Sequence, residues 1–186
     1  MIESKEELKE YLKADRKRYP IKNMLKAYLT YHEYAVIWRY IKTLRYYEYY
    51  VNLYEKKSSY IHLVMKMIYK LRWKKKCLKT GMTIYPNTCG KGLYITHLAF
   101  IMIPENVRIG KNCSILPMVL LGKNGKVGDG LIEIGDSVQL SAGCIVLGPC
   151  KIGSNCVVGA GAVVNKDFPD GSHIAGVPAK IISVRG

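Results

Sequence analysis

Residues 144–158, CIVLGPCKIGSNCVV, carry a cysteine at every sixth position, namely Cys144, Cys150 and Cys156. An α-helix brings side chains to one face every 3.6 residues and a strand does so every two, so neither element alone explains a spacing of six. A branched aliphatic residue follows each cysteine by two positions. The stretch therefore indicates a repeating unit of six residues, with one small and one large inward side chain.

The same register extends through most of the second half of the chain. The large positions are Ile109, Ile115, Leu121, Ile134, Leu140, Val146, Ile152, Val158 and Val164. The small positions two residues earlier are Val107, Cys113, Val119, Val138, Cys144, Cys150, Cys156 and Ala162. Six residues make a short strand and a turn, and three such sides make a triangular coil of about 18 residues. The sequence predicts a parallel β-helix whose coils stack in one dimension.

The cysteines of this register are predicted to fill narrow interior positions, since free cysteine packs as a small apolar residue. Two alternatives are disfavoured. A disulfide framework belongs to secreted domains, and a zinc site requires closely spaced Cys and His ligands. The register is interrupted once, between Leu121 and Ile134, where the polar segment KNGKVGDGL (123–131) is predicted to project as a functional loop.

The first 80 residues differ from the rest in composition. They carry 20 basic and 8 acidic residues, 13 of the 15 tyrosines and both tryptophans, whereas all 17 glycines lie at or after Gly81. Ser4 and Glu7 form a capping-box pattern that opens a first helix. Apolar spacings of three and four predict further helices over 34–44 and 61–71, with tyrosines that serve packing. The predicted fold class is α+β, with a helical, basic domain 1–80 and a β-helical domain 81–186.

The run Arg72-Trp73-Lys74-Lys75-Lys76 leaves three interpretations open. It is typical of a solvated basic helix end, of a segment that touches an anionic membrane surface, or of a nucleic-acid contact. No nucleic-acid motif accompanies it, so we expect no nucleic-acid partner. No apolar run approaches the ~18 residues that a membrane span needs. We expect a cytoplasmic protein, with contact at the inner face of the membrane as an option.

Four segments resemble a known family: GKGLYITH (90–97), CSILPMVLLGKNG (113–125), VVGAGAVV (157–164) and AGVPAKII (175–182). Over residues 81–183 the chain is similar to the hexapeptide-repeat acyltransferases, and within them to the serine acetyltransferase-like branch. The resemblance implies a left-handed β-helix, a homotrimer with active sites between subunits, acetyl-CoA as co-substrate and no metal. It implies transfer of an acetyl group to the hydroxyl of a small acceptor.

The resemblance also implies site residues. His97 matches the catalytic histidine and Glu105 matches a glutamate that could assist it. The residues implied for the coenzyme A surface are Gly122, Lys123, Ala142, Gly143, Ala160, Gly161, Lys166 and Lys180, with the lysines as phosphate contacts. A base near the hydroxyl is what this chemistry needs, and histidine, with a pKa of roughly 6.5, suits it. One alternative stays open, namely that His97 is an ordinary buried histidine of the core. Counting back in sixes from Ile109 places His97 at an inward position.

The acceptor is predicted from the positions at which this sequence departs from the family's pattern. The family's aspartate before the catalytic histidine is replaced by Thr96, and segment 123–131 lacks the family's Arg-His pair. We therefore expect a sugar of a surface polysaccharide as acceptor, with serine O-acetylation in cysteine biosynthesis as the alternative. A zinc carbonic anhydrase on the same fold needs three histidines, whereas the repeat region holds only His97 and His173. A non-catalytic scaffold is a third class, which replacement of His97 would distinguish.

Overall fold

A computed structural model describes residues 1–123 and 130–184, in which four helices precede fourteen short strands. The helices are α1 Lys5–Lys17, α2 Met24–Leu29, α3 Glu33–Lys57 and α4 Tyr60–Thr80. The strands are β1 Met82–Ile84, β2 Tyr94–Ile95, β3 Ile101–Ile103, β4 Val107–Ile109, β5 Ser114–Ile115, β6 Leu120–Lys123, β7 Ile132–Ile134, β8 Gln139–Leu140, β9 Ile145–Gly148, β10 Cys150–Ile152, β11 Val157–Val158, β12 Val163–Val164, β13 Ser172–Ala175 and β14 Lys180–Val184. The change from helix to strand falls at Gly81.

The strands form the three faces of a coil. The first face has the order β1-β3-β6-β9-β12, the second β10-β7-β4 and the third β14-β13-β11-β8-β5-β2. Neighbours are parallel and one coil apart, as in the pairing of Ile145 with Val163. The exception is the antiparallel pair β13–β14, which closes the third face. The predicted fold class, helices followed by a left-handed parallel β-helix, is confirmed.

The predicted hexad positions are interior positions without exception. Every large and small position named above is at most 6% exposed. The cysteines are free thiols and all six are buried. Packing in the interior of the coil therefore accounts for the cysteine spacing. Of the interrupting segment 123–131, residues 124–129 lie outside the described residues.

The helices follow two of the three predicted patterns. Ser4 caps α1, with its hydroxyl accepting from the Glu7 N–H while the Glu7 side chain accepts from the Ser4 N–H. The stripe predicted for α3 is buried. The stripe predicted for α4 is wrong as a packing face, because Ile61 and Leu71 are 70% and 68% exposed. The opposite side of α4 packs instead, through Trp73 and Cys77.

A buried ionic network ties the helices to the first coil. Arg45 of α3 donates from Nε to Asp15 Oδ2 at 2.8 Å and from Nη1 to Glu48 Oε2 at 2.9 Å. Its other hydrogen bonds reach the carbonyls of Cys89 at 2.8 Å and Gly90 at 2.7 Å. One hydrophobic core runs from α3 and α4 into the coils. The division into domains 1–80 and 81–186 therefore stays a prediction.

Within residues 1–123 and 130–184, no helix combines the length and the apolar character needed to cross a bilayer.

Candidate active site

One corner of the coil, between the third and first faces, gathers half of the predicted site residues. We call it the corner column; its levels are residues 97–100, 116–119, 141–144 and 159–162. Backbone hydrogen bonds join successive levels: Met118 N to Phe100 O, Gly143 N to Pro117 O and Gly161 N to Ala142 O, each at 2.9 Å. His97, Ala142, Gly143, Ala160 and Gly161 thus lie on one edge of the molecule.

His97 stands at the first level of this column and faces outward. Its side chain is 61% exposed, so the alternative of an interior histidine does not hold. The ring Nδ1 lies 3.0 Å from Oε2 of Glu33, the first residue of α3. The other carboxylate oxygen, Oε1, accepts the backbone N–H of Leu98 at 2.6 Å. Two hydrogen bonds therefore fix the carboxylate, and the carboxylate fixes the ring.

The charge state of Glu33 decides the tautomer of His97. Partial burial raises the pKa of Glu33, but hydrogen bonds from the Leu98 N–H and the His97 ring outweigh it and leave the pKa below its ordinary value. An ionised carboxylate only accepts hydrogen bonds, so Nδ1 must carry the proton of this contact. In the neutral ring, Nε2 then holds the free lone pair.

Below His97 the column offers a smooth strip. Gly143 and Gly161 have φ of +69° and +67°, and Met118 adopts the same left-handed region at 63° with a 57% exposed side chain. A Cβ added at Gly161 would meet no atom within 4 Å. Coils stack at about 4.8 Å, so the strip runs for roughly 14 Å from the level of His97 to that of Gly161.

The remaining predicted residues lie elsewhere. Glu105 is exposed beyond the opposite end of the first face, and β3 separates it from His97. Gly122 and Lys123 end β6 on Glu105's side, and all three line one shallow pocket. Within one chain the structure does not bring Glu105 to His97, because a strand of the first face lies between them.

Lys166 and Lys180, the last two residues of the predicted set, lie at different corners of the coil. Lys166 follows β12 on the Glu105 side, where its Nζ lies 5.7 Å from the centre of the Phe168 ring. Lys180 pairs with Ala175 in the last coil, beside the corner column, and is exposed. Only Lys180 is therefore placed to extend the strip that begins at His97.

Glu33 is the functional candidate that the sequence did not reveal. It lies 64 residues before His97, and an acidic residue in the first turn of a helix is ordinarily read as complementing the helix dipole. No local motif joins it to His97. The neighbouring Thr96 keeps its Oγ1 buried and without a hydrogen-bond partner among the described residues. His173 lies on β13 in the last coil, far from His97.

Comparisons with known proteins agree with this geometry. Residues 132–166 match the family described as bacterial transferase hexapeptide (six repeats). The crystal structure of serine acetyltransferase from Neisseria gonorrhoeae superposes with a TM-score of 0.74 at 28% identity, covering 97% of this chain and 68% of that one. The chain is therefore similar to the hexapeptide transferases over residues 132–166 and to the serine acetyltransferases over most of its length. Serine acetyltransferase from Brucella abortus strain S19, solved in complex with coenzyme A, superposes with a TM-score of 0.72 at 28% identity, covering 96% and 67%.

The sequence relatives of this chain, like its structural neighbours, are named serine acetyltransferases. Serine acetyltransferase 4 of Arabidopsis thaliana is 43% identical over 104 residues, which cover 55% of this chain and 29% of that protein. The chain spans between 29% and 51% of the length of the curated relatives it matches. The expectation of a polysaccharide sugar as acceptor is wrong by this comparison. The relatives and structural neighbours favour its alternative, serine.

Proposed function

We propose that the protein is an acetyl-CoA-dependent O-acetyltransferase that acts on the hydroxyl of L-serine. The observation that carries the proposal is the exposed His97, held by Glu33 at the head of the corner column. The similarity to serine acetyltransferases supports the choice of acceptor. Segment 123–131 lacks the Arg-His pair that the resemblance implies for contact with serine, so the assay of the acceptor is the decisive test.

The His97–Glu33 pair fits general-base catalysis. With Nδ1–H donated to Glu33, Nε2 takes the proton of the serine hydroxyl as its oxygen attacks the thioester carbonyl. The C–S bond breaks, the acetyl group remains on the serine oxygen, and the imidazolium returns its proton to the departing thiolate. Glu33 acts as a positioning residue that holds the ring and stabilises its protonated form. This step accounts for a rate factor of roughly 10²–10⁴.

The corner column is the proposed surface for coenzyme A. Pantetheine is extended and nearly uncharged, and the strip from Met118 to Gly161 gives it contact without obstruction. Lys180, exposed at the far end, is proposed to meet the phosphates. Gly122, Lys123 and Lys166 lie at another corner and enter this site only if a neighbouring subunit brings them. Glu105 likewise enters this site only if a neighbouring subunit brings it.

A homotrimer with active sites between subunits is the proposed assembly. Apolar side chains remain exposed along the column, with Phe100 at 46%, Met118 at 57% and Val177 at 72%. A neighbouring chain that covers them would also enclose the thioester and bring its own Glu105 corner toward His97. Sedimentation equilibrium is expected to give three times the 21.1 kDa chain mass. A monomer at micromolar concentration would contradict this assembly.

Peripheral contact with an anionic membrane through the basic helices is also proposed. Segment 60–80 contains seven basic residues and no acidic one. Its outward apolar side chains Ile61, Leu71 and Leu78 are 70%, 68% and 87% exposed. Apolar side chains flanked by cations are typical of helices that lie in the interface of anionic bilayers. Flotation with phosphatidylglycerol vesicles, and not with phosphatidylcholine vesicles, is the expected result.

The enzymatic proposal is tested by thiol release from acetyl-CoA with the full chain. L-Serine should support turnover, and water alone should not. His97→Asn should lower kcat by roughly 10²–10⁴ while leaving the affinity for coenzyme A within about twofold. His62→Asn, at a half-buried histidine of α4, is the matched control and should retain activity. Absence of serine turnover in the wild type, or full activity of His97→Asn, would reject the proposal.

Glu33→Gln separates positioning from structure. The amide keeps the side-chain shape but offers a neutral acceptor, so it no longer stabilises the imidazolium. We expect kcat to fall about 10–100-fold with little change in KM, and the acidic limb of the kcat/KM profile, where the base is protonated and inactive, to move to lower pH. Glu6→Gln, at an exposed position in the first turn of α1, should leave both the rate and the profile unchanged. An unshifted profile for Glu33→Gln would assign Glu33 a purely structural role.

A further inference from the structure

The cleft between α3 and α4, here the α3–α4 cleft, concentrates positive charge. Five cationic side chains line it: Arg39, Arg72, Lys75, Lys76 and Lys79. Its volume is about 370 Å³, enough for a phosphate with an attached organic group. Among the described residues, none of the five forms an ion pair with a carboxylate, and no acidic side chain lines the cleft. Such a charge cluster is uncompensated within the described chain.

The cleft concentrates charge at an electrostatic cost. Burial, together with the charges of Arg39 and Lys79, lowers the pKa of Lys76. Like charges brought this close repel one another, and the repulsion grows where water is partly excluded. A bound anion would remove that repulsion. The rest of the wall is formed by Val36, Tyr31, the buried Tyr40 and Thr80.

We propose that the α3–α4 cleft is a binding site for a phosphate-bearing ligand, distinct from the surface proposed for coenzyme A. Two arginines supply planar, paired donors that match phosphate oxygens, and three lysines supply further point charges. The apolar wall would hold the organic part of the ligand. The ligand can be a phospholipid headgroup or a soluble phosphate, since both present the same group to the five cations.

The structure offers a matched pair of variants for the test. Lys75→Gln with Lys79→Gln removes two charges from the cleft. Lys9→Gln with Lys13→Gln removes two charges from exposed positions of α1, outside both the cleft and segment 60–80. All four lysines are exposed, so neither variant threatens folding, which circular dichroism would verify. Both variants lower the net charge equally, so that nonspecific attraction changes by the same amount in each.

The measurement uses two probes on the full chain: pyrophosphate by titration calorimetry, and vesicles of phosphatidylglycerol in phosphatidylcholine by flotation. The cleft variant should weaken binding of at least one probe about 10-fold or more, and the control variant less than about threefold. Pyrophosphate binding identifies a soluble ligand, and binding to vesicles alone identifies a headgroup. Equal losses in both variants, or binding of neither probe, would overturn the proposal.

Binding of coenzyme A is the remaining measurement of the test. Its direct binding should be unchanged in the cleft variant, and saturating coenzyme A should leave pyrophosphate bound. If coenzyme A displaced pyrophosphate from the cleft, the cleft would belong to the coenzyme site and the proposal would fail. None of these readouts requires acetyl transfer, so the result stands whether or not L-serine proves to be the acceptor.

Discussion

The coils and the helices of this protein are stabilised by different means. In the coils, each buried side chain stacks on equivalents one coil away, as Val146 does on Leu121 and Val164. In the helical region, the apolar contacts to the first coil are supplemented by a buried arginine with two carboxylates, Asp15 and Glu48. The coil core is apolar and repetitive, whereas this polar network at the junction occurs once.

This difference predicts how each region tolerates change. A coil contact that is lost leaves its neighbours above and below in place, because stacking is local. Loss of a charged junction residue leaves the opposite charge buried without its ion-pair partner, and that cost is larger than that of a missing methyl group. The junction is therefore expected to be the more sensitive of the two, and the expected effects can be ranked from this comparison.

The largest effect is expected from Arg45→Met. Methionine fills similar space but leaves two buried carboxylates and the carbonyls of Cys89 and Gly90 without their donor. Removing one partner of a buried ion pair costs about 3–5 kcal/mol. Urea unfolding should show this loss, and the control Lys42→Met, at an exposed position one turn earlier on α3, should change stability by less than about 0.5 kcal/mol. Equal stability of the two variants would remove the distinction between junction and coil.

The coils were predictable and the junction was not, for a physical reason. Interior positions of the β-helix recur every six residues, so a sequence pattern alone located Cys113, Val146 and their equivalents. The junction has no period. The spacing of Arg45 and Glu48 places them side by side on one helix, but nothing in the sequence shows that Asp15 meets them, because that contact depends on how the helices pack. The α4 stripe failed for a related reason, since periodicity marks an apolar face without showing what covers it.

The second largest loss of stability is expected from a residue of the coils. Ile152→Ala in β10 should cost about 2–4 kcal/mol through lost burial and an unfilled cavity. Its neighbour Lys151 points outward on the same strand and is exposed. Lys151→Ala should therefore cost less than about 0.5 kcal/mol by the same urea titration. A cost for Ile152→Ala near that of Arg45→Met or above it would reverse the ranking of the two regions.

Alkaline pH probes the buried thiols of the coils. Burial raises the pKa of Cys89 and of Cys144 to about 12 each, from an unfolded value near 9.0. Because the folded pKa is the higher one, the stability these thiols contribute is complete below pH 9 and is lost as the pH rises toward 12. At one pH unit above the unfolded value, the loss is roughly 1.4 kcal/mol per thiol.

Thiol labelling checks this prediction directly. At pH 8 the native protein should react slowly with a thiol reagent, while the urea-unfolded protein should expose all six cysteines. Cys144→Ala should reduce the stability loss between pH 8 and pH 10 by the share of one thiol. Rapid labelling of the native protein would show that the coil interior opens far more readily than its packing predicts.

The residues of the candidate site likewise differ in whether the sequence could reveal them. His97, Ala142 and Gly161 were found from motifs, because repeated coils place motif residues in a column. Glu33 was not found, because it comes from a helix and reaches His97 only through the packing of α3 on the first coil. The catalytic proposal therefore depends on both regions, with the base from the coils and its positioning carboxylate from the helices.

The smallest effect is expected where helices are joined by charge at the surface. Lys56 Nζ lies 3.3 Å from Glu3 Oε2, and the two side chains are 60% and 47% exposed. Such pairs contribute about 0.5 kcal/mol or less, because water and salt screen them and both side chains lose freedom. Lys56→Met should leave the urea midpoint nearly unchanged at 0.15 M salt, in contrast to Arg45→Met on the same helix. A large loss for Lys56→Met would show that charge pairing, rather than burial without partners, governs the helical region.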